Sequence, residues 1–349
     1  MKKRICSIFL LLTLLLALLP LQANAVTAGM AALDMQEISR TEYQISKDVK
    51  EYEWLLNNGS LTKQMVGHVM EVKVGKDSTA TLAAGYSDYN IGDIKNNQWA
   101  MVKTTEQAQA METRRKVNVV GAINGGGFDM SNGRPSGALV LDGTVIQSAN
   151  STTFWVDKEN VAHITDGTEY TQAVADGRVS EAISSFGDIL SDGKAYTGLD
   201  NSTRASRTAV GIKPDGSVVL FMVDGRQSPY SAGMTMAELA AAMEELGCER
   251  AINLDGGGSS TFATQREGDV VSEVDPNGKS AGLTLRCRPS DGYERRVSNT
   301  LMVLSSAKAT GEFDHAVLMP NNEIYTPGST VAFKASVLPG VYISLFGIR

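Results

Sequence analysis

The chain twice runs from an Ala-Ile-Asn stretch into three consecutive glycines. The first example is "AINGGGFD" from Ala122 to Asp129, and the second is "AINLDGGGSS" from Ala251 to Ser260. Each follows a stretch with helix-start signals and a short apolar run typical of a strand. A strand that ends in glycines turns sharply, because no Cβ restricts φ or blocks a close approach. The fold therefore has to accommodate two strand ends of this type, which we call the first and second glycine corners.

The second glycine corner carries polar side chains on one face. Side chains alternate along a strand, so Asn253 and Asp255 point to one side while Ile252 and Leu254 point to the other. Consecutive glycines also expose backbone N–H groups, an arrangement that suits phosphate, and Ser259 adds a hydroxyl. The lysine of a P-loop is missing. A purely structural turn is the alternative for one such motif, but two corners that face one cleft favour a site.

An acid and two arginines flank the apolar run "VVLFMV". Asp224 follows this run directly, with a glycine and Arg226 after it. Arg207 begins the preceding predicted strand, where its guanidinium could bind a phosphate with two hydrogen bonds. An ordinary Asp-Gly turn is the alternative for Asp224, and Arg295 is a weaker candidate for binding phosphate.

Local signals predict an α+β fold rich in hairpins. Gln107 and Glu238 stand at capping-box spacing from Thr104 and Thr235, which predicts a helix start at each threonine. Asp-Gly pairs at 142–143, 192–193 and 215–216 separate strand-like runs, and such pairs suit tight hairpin turns. The runs "HVMEVKV" and "TATLAAG" predict one further hairpin.

The first 25 residues have the pattern of a secretory signal peptide. "MKKR" precedes an apolar run from Ile5 to Leu19, and we expect cleavage after Ala25. The run is shorter than the roughly 20 residues that span a bilayer, so we expect a product in the extracellular space or cell envelope with no stable membrane span. The formal net charge is -7 before the basic leader is removed, which argues against nucleic acid as a partner.

The rest of the chain divides into three predicted parts. Residues 26–60 form a polar, weakly helical N-terminal segment, residues 61–306 form the main domain, and residues 307–349 resemble a truncated β-rich segment. After cleavage Cys248 and Cys287 remain, and they either pair in an oxidising compartment or act as small, partly buried hydrophobic residues. No feature of the chain specifies an oligomeric state.

The three histidines give little support to other hydrolytic chemistries. His68, His163 and His315 are dispersed in strand-like contexts. A Ser-His-Asp triad or a histidine-based zinc site would need one of them close to suitable partners.

Four stretches together resemble the phosphodiester glycosidase family. They are "INGGGFDMSNGRPSG", "SRTAVGIKPDG", "MVDGRQSPYSAGMTMAELAAAMEELGCERAINLDGGGSS" and "ERRVSNTLMV", and the resemblance covers Val66 to Leu304 with the blocks in order. It implies an α+β domain with a twisted mixed β-sheet core and flanking helices. It also implies hydrolysis of a sugar that is joined through its anomeric carbon to a phosphodiester, or to a phosphate-containing glycan.

Carried over by motif, the resemblance assigns residues to a cleft. Those expected to bind substrate are Asn124, Gly125, Gly126, Arg207, Arg226, Asn253, Gly256, Gly257, Gly258 and Ser259. Asp255 is expected to act as nucleophile or base, with Asp224 as its partner in a role left open. Many bacterial relatives carry an acid at the position of Gly126, so Asp129 is the candidate to replace it.

Two further interpretations remain. The first is a non-catalytic envelope protein that binds phosphate-containing polysaccharide through the same cleft. The second is a metal-dependent enzyme, in which Asp129, Asp224 and Asp255 would hold a divalent cation together with carbonyl oxygens. Apart from such a cation, we expect no cofactor.

Overall fold

Three β-sheets pack around one shared hydrophobic core. The computed structural model describes residues 26–59, 63–86, 99–115, 117–184, 186–266, 269 and 282–305. The predicted signal peptide and the predicted C-terminal segment therefore lie outside the described residues. Within the described part of the chain, no helix is long and apolar enough to cross a membrane.

The first sheet has eight strands and contains the second glycine corner. In spatial order its strands are β1 (Met35–Ser46), β2 (Val49–Asn58), β3 (Met65–Val72), β15 (Val218–Val223), β14 (Arg207–Ile212), β16 (Arg250–Asn253), β12 (Gly187–Ser191) and β13 (Lys194–Ala195). The corner begins where β16 ends.

The second and third sheets have five strands each. The second consists of β10 (Ala162–Thr165), β9 (Thr153–Asp157), β11 (Val179–Ser184), β7 (Leu139–Leu141) and β8 (Thr144–Gln147). The third consists of β18 (Thr284–Leu285), β17 (Phe262–Thr264), β6 (Val119–Asn124), β20 (Asn299–Ser305) and β4 (Ala80–Tyr86), and a separate pair joins β19 (Arg296–Val297) to β5 (Val102–Lys103). The first glycine corner begins where β6 ends.

Helices cover the outer faces of the sheets. They are α1 (Ala28–Ala32), α2 (Thr104–Arg115), α3 (Gly167–Ala175) and α4 (Met236–Glu245). Helix α4 packs on the first sheet, α3 on the second and α2 on the third, each through a cluster of buried apolar side chains. The inner faces of the three sheets share the largest cluster, which includes Ile252, Ile183 and Ile123. This common core brings strand ends from different sheets together.

The predicted α+β class is confirmed, but the sheets differ from the implied mixed arrangement. Every strand pair among the described residues is antiparallel. Short turns favour this result, since parallel neighbours need a long crossover. The three Asp-Gly pairs lie in the turns β7–β8, β12–β13 and β14–β15, as predicted. Asp142 and Gly143 both adopt positive φ, at 50° and 72°.

Two local predictions were wrong. The N-terminal segment is a long β1–β2 hairpin after the short helix α1, and Tyr52, Trp54 and Leu56 are buried with the period of two that a strand requires. Strands β3 and β4 do not form a hairpin, because β2 and β15 occupy both edges of β3 and β4 pairs with β20 in another sheet.

The capping box at Thr235 is present. Its hydroxyl accepts a hydrogen bond from Glu238 N, and the Glu238 side chain accepts one from Thr235 N. At the other helix, Gln107 donates to the carbonyl oxygens of Val102 and Val297 and so joins α2 to the β5–β19 pair.

The two cysteines do not pair. Cys248 and Cys287 are free and buried. Burial raises the pKa of both thiols, so they act as small hydrophobic groups.

A buried glutamate links the second sheet to the third. Glu181 on β11 accepts hydrogen bonds from Ala84 N at 3.0 Å and Asp142 N at 3.3 Å, and Arg115 lies 3.3 Å from the same side chain. Burial outweighs these contacts and raises the pKa of Glu181 to about 7.

This glutamate predicts a pH-dependent stability. The native state keeps a proton that the unfolded chain releases, so stability falls as pH rises from about 4.5 to about 7. The loss is on the order of 3 kcal/mol at 1.36 kcal/mol per pKa unit. Glu181→Gln removes this dependence, so urea unfolding at about pH 5 and about pH 8 should give closer free energies than in the wild type. Exposed Glu159→Gln is the control, and an unchanged slope in Glu181→Gln would contradict the assignment.

Candidate active site

The two glycine corners are in direct contact. Asp255 N donates a hydrogen bond to Gly125 O at 3.1 Å, and Asn124 Nδ2 donates to Asp255 O at 2.7 Å. One corner belongs to the third sheet and the other to the first. The geometry therefore brings together the two motifs that the sequence repeats.

Asn124 holds this junction with both ends of its amide. The side chain is fully buried, and its Oδ1 accepts hydrogen bonds from Thr208 Oγ1 at 2.8 Å and Thr261 N at 3.0 Å. The amide nitrogen bonds to Asp255 O. Asparagine suits this place because it offers one donor end and one acceptor end, whereas aspartate lacks the donor.

The first glycine corner is held on the other side by Asn299. Gly125 N donates to Asn299 O at 2.9 Å, and Gly126 N donates to Asn299 Oδ1 at 2.8 Å. A Cβ at position 126 would lie 2.5 Å from Ser184 O, closer than packing permits. This contact gives a reason for Gly126, because an acidic side chain there would have to displace the end of β11.

The backbone amides of the second corner mostly shape the loop itself. Gly256 N donates to Asp255 Oδ1 at 2.9 Å, Gly257 N to Ser206 O at 2.8 Å, and Ser259 N to Gly256 O at 3.3 Å. Gly257 has a φ of +62° and begins a single 3-10 turn, Gly257–Ser259. These bonds differ from the sequence-based picture of amides that converge on an anion, so the charge for an anion must come from elsewhere.

Asp255 is a half-buried, partly accessible carboxylate. Burial raises its pKa, while hydrogen bonds from Ser259 and Gly256 N and the charge of Arg295 oppose the rise. Arg295 lies 3.4 Å from Ser259 Oγ and forms an ion pair with Asp291. From the sequence alone Arg295 was a weak candidate, because adjacent charged residues are usually part of a solvated surface.

Arg207 and Arg226 lie beside the second corner. The Arg207 guanidinium donates to Met234 O at 3.1 Å and Thr203 O at 2.9 Å, and desolvation lowers its pKa. Arg226 Nη1 lies 3.4 Å from where a Cβ of Gly257 would be. The Arg226 side chain is exposed, and no described residue accepts a hydrogen bond from it. Arg226 is therefore available to bind an anion.

Asp224 lies inside a buried network. Its side chain is 0% exposed, and it accepts hydrogen bonds from Tyr230 OH at 2.8 Å and Arg288 N at 2.8 Å, with His68 Nε2 at 3.1 Å. This buried position differs from the one expected for a catalytic partner of Asp255, because both carboxylate oxygens of Asp224 already have hydrogen-bond partners. Burial first, and the adjacent Asp224 charge second, raise the pKa of Tyr230.

The sequence did not connect His68 or Tyr230 to Asp224. His68 lies opposite Met222 in the β3–β15 register, two residues before Asp224. A correct prediction that β3 pairs with β15 would have revealed the contact. Short sequence motifs contain no information about which strands pair.

Asp129 forms a local turn. Its carboxylate accepts hydrogen bonds from Ser131 N, Ser131 Oγ and Asn132 Nδ2 at 2.8, 2.6 and 2.9 Å. The Ser131 hydroxyl is the main reason that the pKa of Asp129 is lowered. The side chain is exposed, and its contacts with described residues lie within this turn.

Asn253 has an unusual buried atom. The residue is 8% exposed, and its Oδ1 has no hydrogen-bond partner in the described part of the chain. Such a group is costly unless a ligand or water satisfies it. By contrast, no three His, Cys, Asp or Glu side chains of the described residues are grouped as metal ligands would be, so Asp129, Asp224 and Asp255 do not form the expected cation cluster.

The site combines one accessible acid with several guanidinium groups at the ends of strands from different sheets. Positive charge beside a carboxylate is the arrangement expected of a hydrolase that acts on an anionic substrate. The chain belongs to the phosphodiester glycosidase family, whose family model matches residues 117–304.

Curated relatives agree with this membership. The chain is 28% identical over 165 residues to N-acetylglucosamine-1-phosphodiester alpha-N-acetylglucosaminidase of Mus musculus, covering 40% of this chain and 31% of that protein. An uncharacterised SPbeta prophage-derived protein of Bacillus subtilis is 29% identical over 213 residues, which cover 57% of this chain and 30% of the prophage protein. The chain thus spans about a third of the length of these relatives.

Two solved structures share the fold. The catalytic domain of the zebrafish N-acetylglucosamine-1-phosphodiester alpha-N-acetylglucosaminidase, auto-inhibited by its pro-peptide, aligns with a TM-score of 0.54 at 20% identity over 76% of this chain and 88% of that chain. A hypothetical protein from Synechocystis aligns with a TM-score of 0.51 at 14% identity, over 76% of this chain and 64% of that chain.

Asn124→Ala should weaken the junction between the corners. The change removes the side-chain hydrogen bonds to Asp255 O, Thr208 and Thr261 N and leaves Asp255 O without its Asn124 donor, so we expect a loss of about 3 kcal/mol of unfolding free energy. Denaturant unfolding measures this loss. Asn132→Ala, at an exposed turn, is the control and should cost less than about 1 kcal/mol. Equal stability of the two variants would contradict the role of Asn124.

Proposed function

We propose that this protein hydrolyses a sugar-1-phosphodiester of the N-acetylglucosamine-α-1-phosphate ester type to free sugar and a phosphomonoester. The observation that carries the proposal is the position of Asp255, a carboxylate of raised pKa at the junction of both corners. Arg207 and Arg226 both lie against the glycine loop that follows Asp255, beside Gly256 and Gly257 respectively. Family membership and the activity named for the mouse relative support the reaction class.

The charges match the substrate. A phosphodiester carries a negative charge, which Arg226 can bind because its guanidinium has no partner among the described residues. Arg207 is fixed by two carbonyl oxygens and adds positive potential. Fixed cations that stabilise charge developing on the leaving group lower the barrier most when they are preorganised.

One accessible carboxylate suits this leaving group. A phosphate monoester leaves as a stable anion, since its second pKa is about 6, so it needs less help from a general acid than a sugar alkoxide. Asp255 then acts as nucleophile or as base for water at the anomeric carbon. Asp224 serves as a positioning residue for Tyr230 and Arg288.

We further propose that the enzyme acts outside the cytoplasm, on envelope or exopolysaccharide glycans. The support for this location is the signal-peptide pattern of residues 1–25.

Asp255→Asn tests the proposed chemistry. The substitution keeps the shape of the side chain but removes the negative charge, so we expect release of sugar from methyl N-acetyl-α-glucosaminyl phosphate to fall about 100- to 10,000-fold. A coupled assay for free N-acetylglucosamine measures the rate, and thermal unfolding verifies the fold. Asp129→Asn is the matched control and should keep its rate within about threefold, because this side chain bonds only within its own turn among the described residues.

Full activity of Asp255→Asn would remove Asp255 from the mechanism. A wild type that turns over no sugar-1-phosphodiester, yet binds phosphate-containing polysaccharide equally well with Asp255→Asn, would favour the non-catalytic envelope protein instead.

The pH profile tests the surroundings of Asp255. The Ser259 hydrogen bond stabilises the ionised carboxylate and lowers its pKa, so Ser259→Ala raises this pKa. If catalysis needs ionised Asp255, the acidic limb of kcat/KM moves to higher pH in Ser259→Ala and also in Arg295→Gln. Ser131→Ala removes the analogous bond at Asp129 and should leave the limb in place. A limb that moves to lower pH in Ser259→Ala would contradict the assignment.

A further inference from the structure

A second feature of the site is a cavity of about 260 Å³ beside the first glycine corner. Its walls come from the corner itself, from the end of β11 and from the segment that leads into β12. They include Gly126, Gly127, Ser151, Ser184 and Phe186. The cavity thus opens next to the junction that holds Asp255, but none of the residues that surround the Asp255 carboxylate forms its wall.

Phe186 is an exposed aromatic ring at this cavity. It is 58% exposed, although a phenylalanine usually packs inside a fold. The ring atoms Cε1, Cζ and Cε2 are the atoms nearest to the position that a Cβ of Gly127 would take. The ring therefore lies against Gly127, where any side chain would collide with it, and more than half of the residue's surface stays exposed.

The backbone fixes this ring against the second corner. Phe186 N donates a hydrogen bond to Asn253 O at 2.8 Å, and Gly187 pairs with Asn253 across β12 and β16. Asn253 is also the residue whose buried Oδ1 has no partner in the described part of the chain. The backbone hydrogen bond therefore places Phe186 next to the residue that carries this unsatisfied oxygen.

The rest of the wall combines small and apolar residues, such as Ala138 and Pro135, with the hydroxyl groups of Ser136, Ser151 and Ser184. Ser184 Oγ accepts a hydrogen bond from Ala138 N at 2.6 Å and lies 3.3 Å from Ser151 Oγ and 3.2 Å from Thr153 Oγ1. A ring face beside a row of hydroxyl groups matches a sugar, which has one apolar face of C–H groups and a rim of hydroxyl groups. The negative face of an aromatic ring attracts weakly positive hydrogens.

The volume limits the size of the ligand. Pockets for drug-sized molecules measure about 300 to 1,000 Å³. A cavity of about 260 Å³ has room for about one sugar ring. Both this cavity and the Asp255 junction contact the first glycine corner, so a sugar ring in the cavity lies next to the junction.

We propose that this cavity is the sugar subsite and that Phe186 is the residue on which the apolar face of a single N-acetylhexosamine ring stacks. This inference rests on the proposed function, and it assigns the two ends of the substrate. The sugar occupies the cavity at the first corner, and the phosphate lies at Arg226 on the second. Phe186 then contributes to substrate affinity and specificity and takes no part in bond breaking.

Phe186→Ala tests the assignment with the full-length secreted protein. Loss of stacking should raise KM for methyl N-acetyl-α-glucosaminyl phosphate about tenfold or more with kcat within about threefold, because the contact is made before and during the reaction. Phe186→Trp retains a ring face and should stay within about threefold of the wild type in KM. The matched control is Tyr196→Ala, because Tyr196 is an exposed aromatic residue that directly follows β13 and lies outside the cavity wall.

A binding measurement separates this inference from the proposed function. Saturation-transfer NMR with free N-acetylglucosamine should show a signal with the wild type, with Tyr196→Ala and with Asp255→Asn, and should lose it with Phe186→Ala. If the wild type hydrolyses the substrate and Phe186→Ala has an unchanged KM, the sugar subsite is overturned and the proposed hydrolase activity stands. Sugar binding that depends on Phe186, without turnover of any sugar-1-phosphodiester, supports the subsite and overturns the hydrolase. Absence of a signal with the wild type overturns the subsite.

Discussion

The hydrogen bond from Asn124 to Asp255 O is the constraint on which the site depends. It joins strand ends from two sheets that are far apart in the chain, since the partners are separated by 131 positions. The shared core of the three sheets brings β6 and β16 close, but apolar packing alone does not fix their ends relative to each other. The buried amide supplies the directional contact that packing lacks, and the bond from Asp255 N to Gly125 O closes the junction from the other side.

The glycines serve this junction more than they serve a ligand. Several of their amides bond to Asn299, Ser206 and Asp255, and positions such as 126 lack space for any Cβ. Under the proposed function, the positive charge that binds a phosphodiester therefore comes from guanidinium groups beside the loop. This division of roles differs from a P-loop, in which the backbone itself surrounds the phosphates. Binding at such a site should weaken with salt more steeply than binding through backbone amides, since exposed charges are screened.

Local signals in the sequence predicted part of this structure. The capping box at Thr235 and the Asp-Gly turns depend on neighbouring residues and were confirmed. The repeated pattern of Ala-Ile-Asn and glycines predicted two similar strand ends that face one cleft. The structure brings these two corners into contact. The β1–β2 hairpin was missed, since the period of two in Tyr52, Trp54 and Leu56 is hidden among polar residues. The network around Asp224 depends on strand pairing across 156 residues, which a single sequence does not reveal.

The burial of Asp224 changes the chemical interpretation of the site. A glycosidase that expels a sugar alkoxide needs two carboxyl groups, one of them an acid. Here Asp224 is fully hydrogen-bonded at 0% exposure and Asp255 is partly accessible, so of these two carboxylates only Asp255 is open to a substrate. Under the proposed function, a phosphate leaving group makes this arrangement sufficient. The N–H and C=O groups of Asp255 also form the junction between the sheets, so a small shift of either sheet moves its carboxylate. A misplacement of about 1 Å is enough to slow a reaction about 100-fold. For the proposed role of Asp255, rigidity of the core is therefore a condition, and a buried asparagine supplies a directional contact that apolar packing would not.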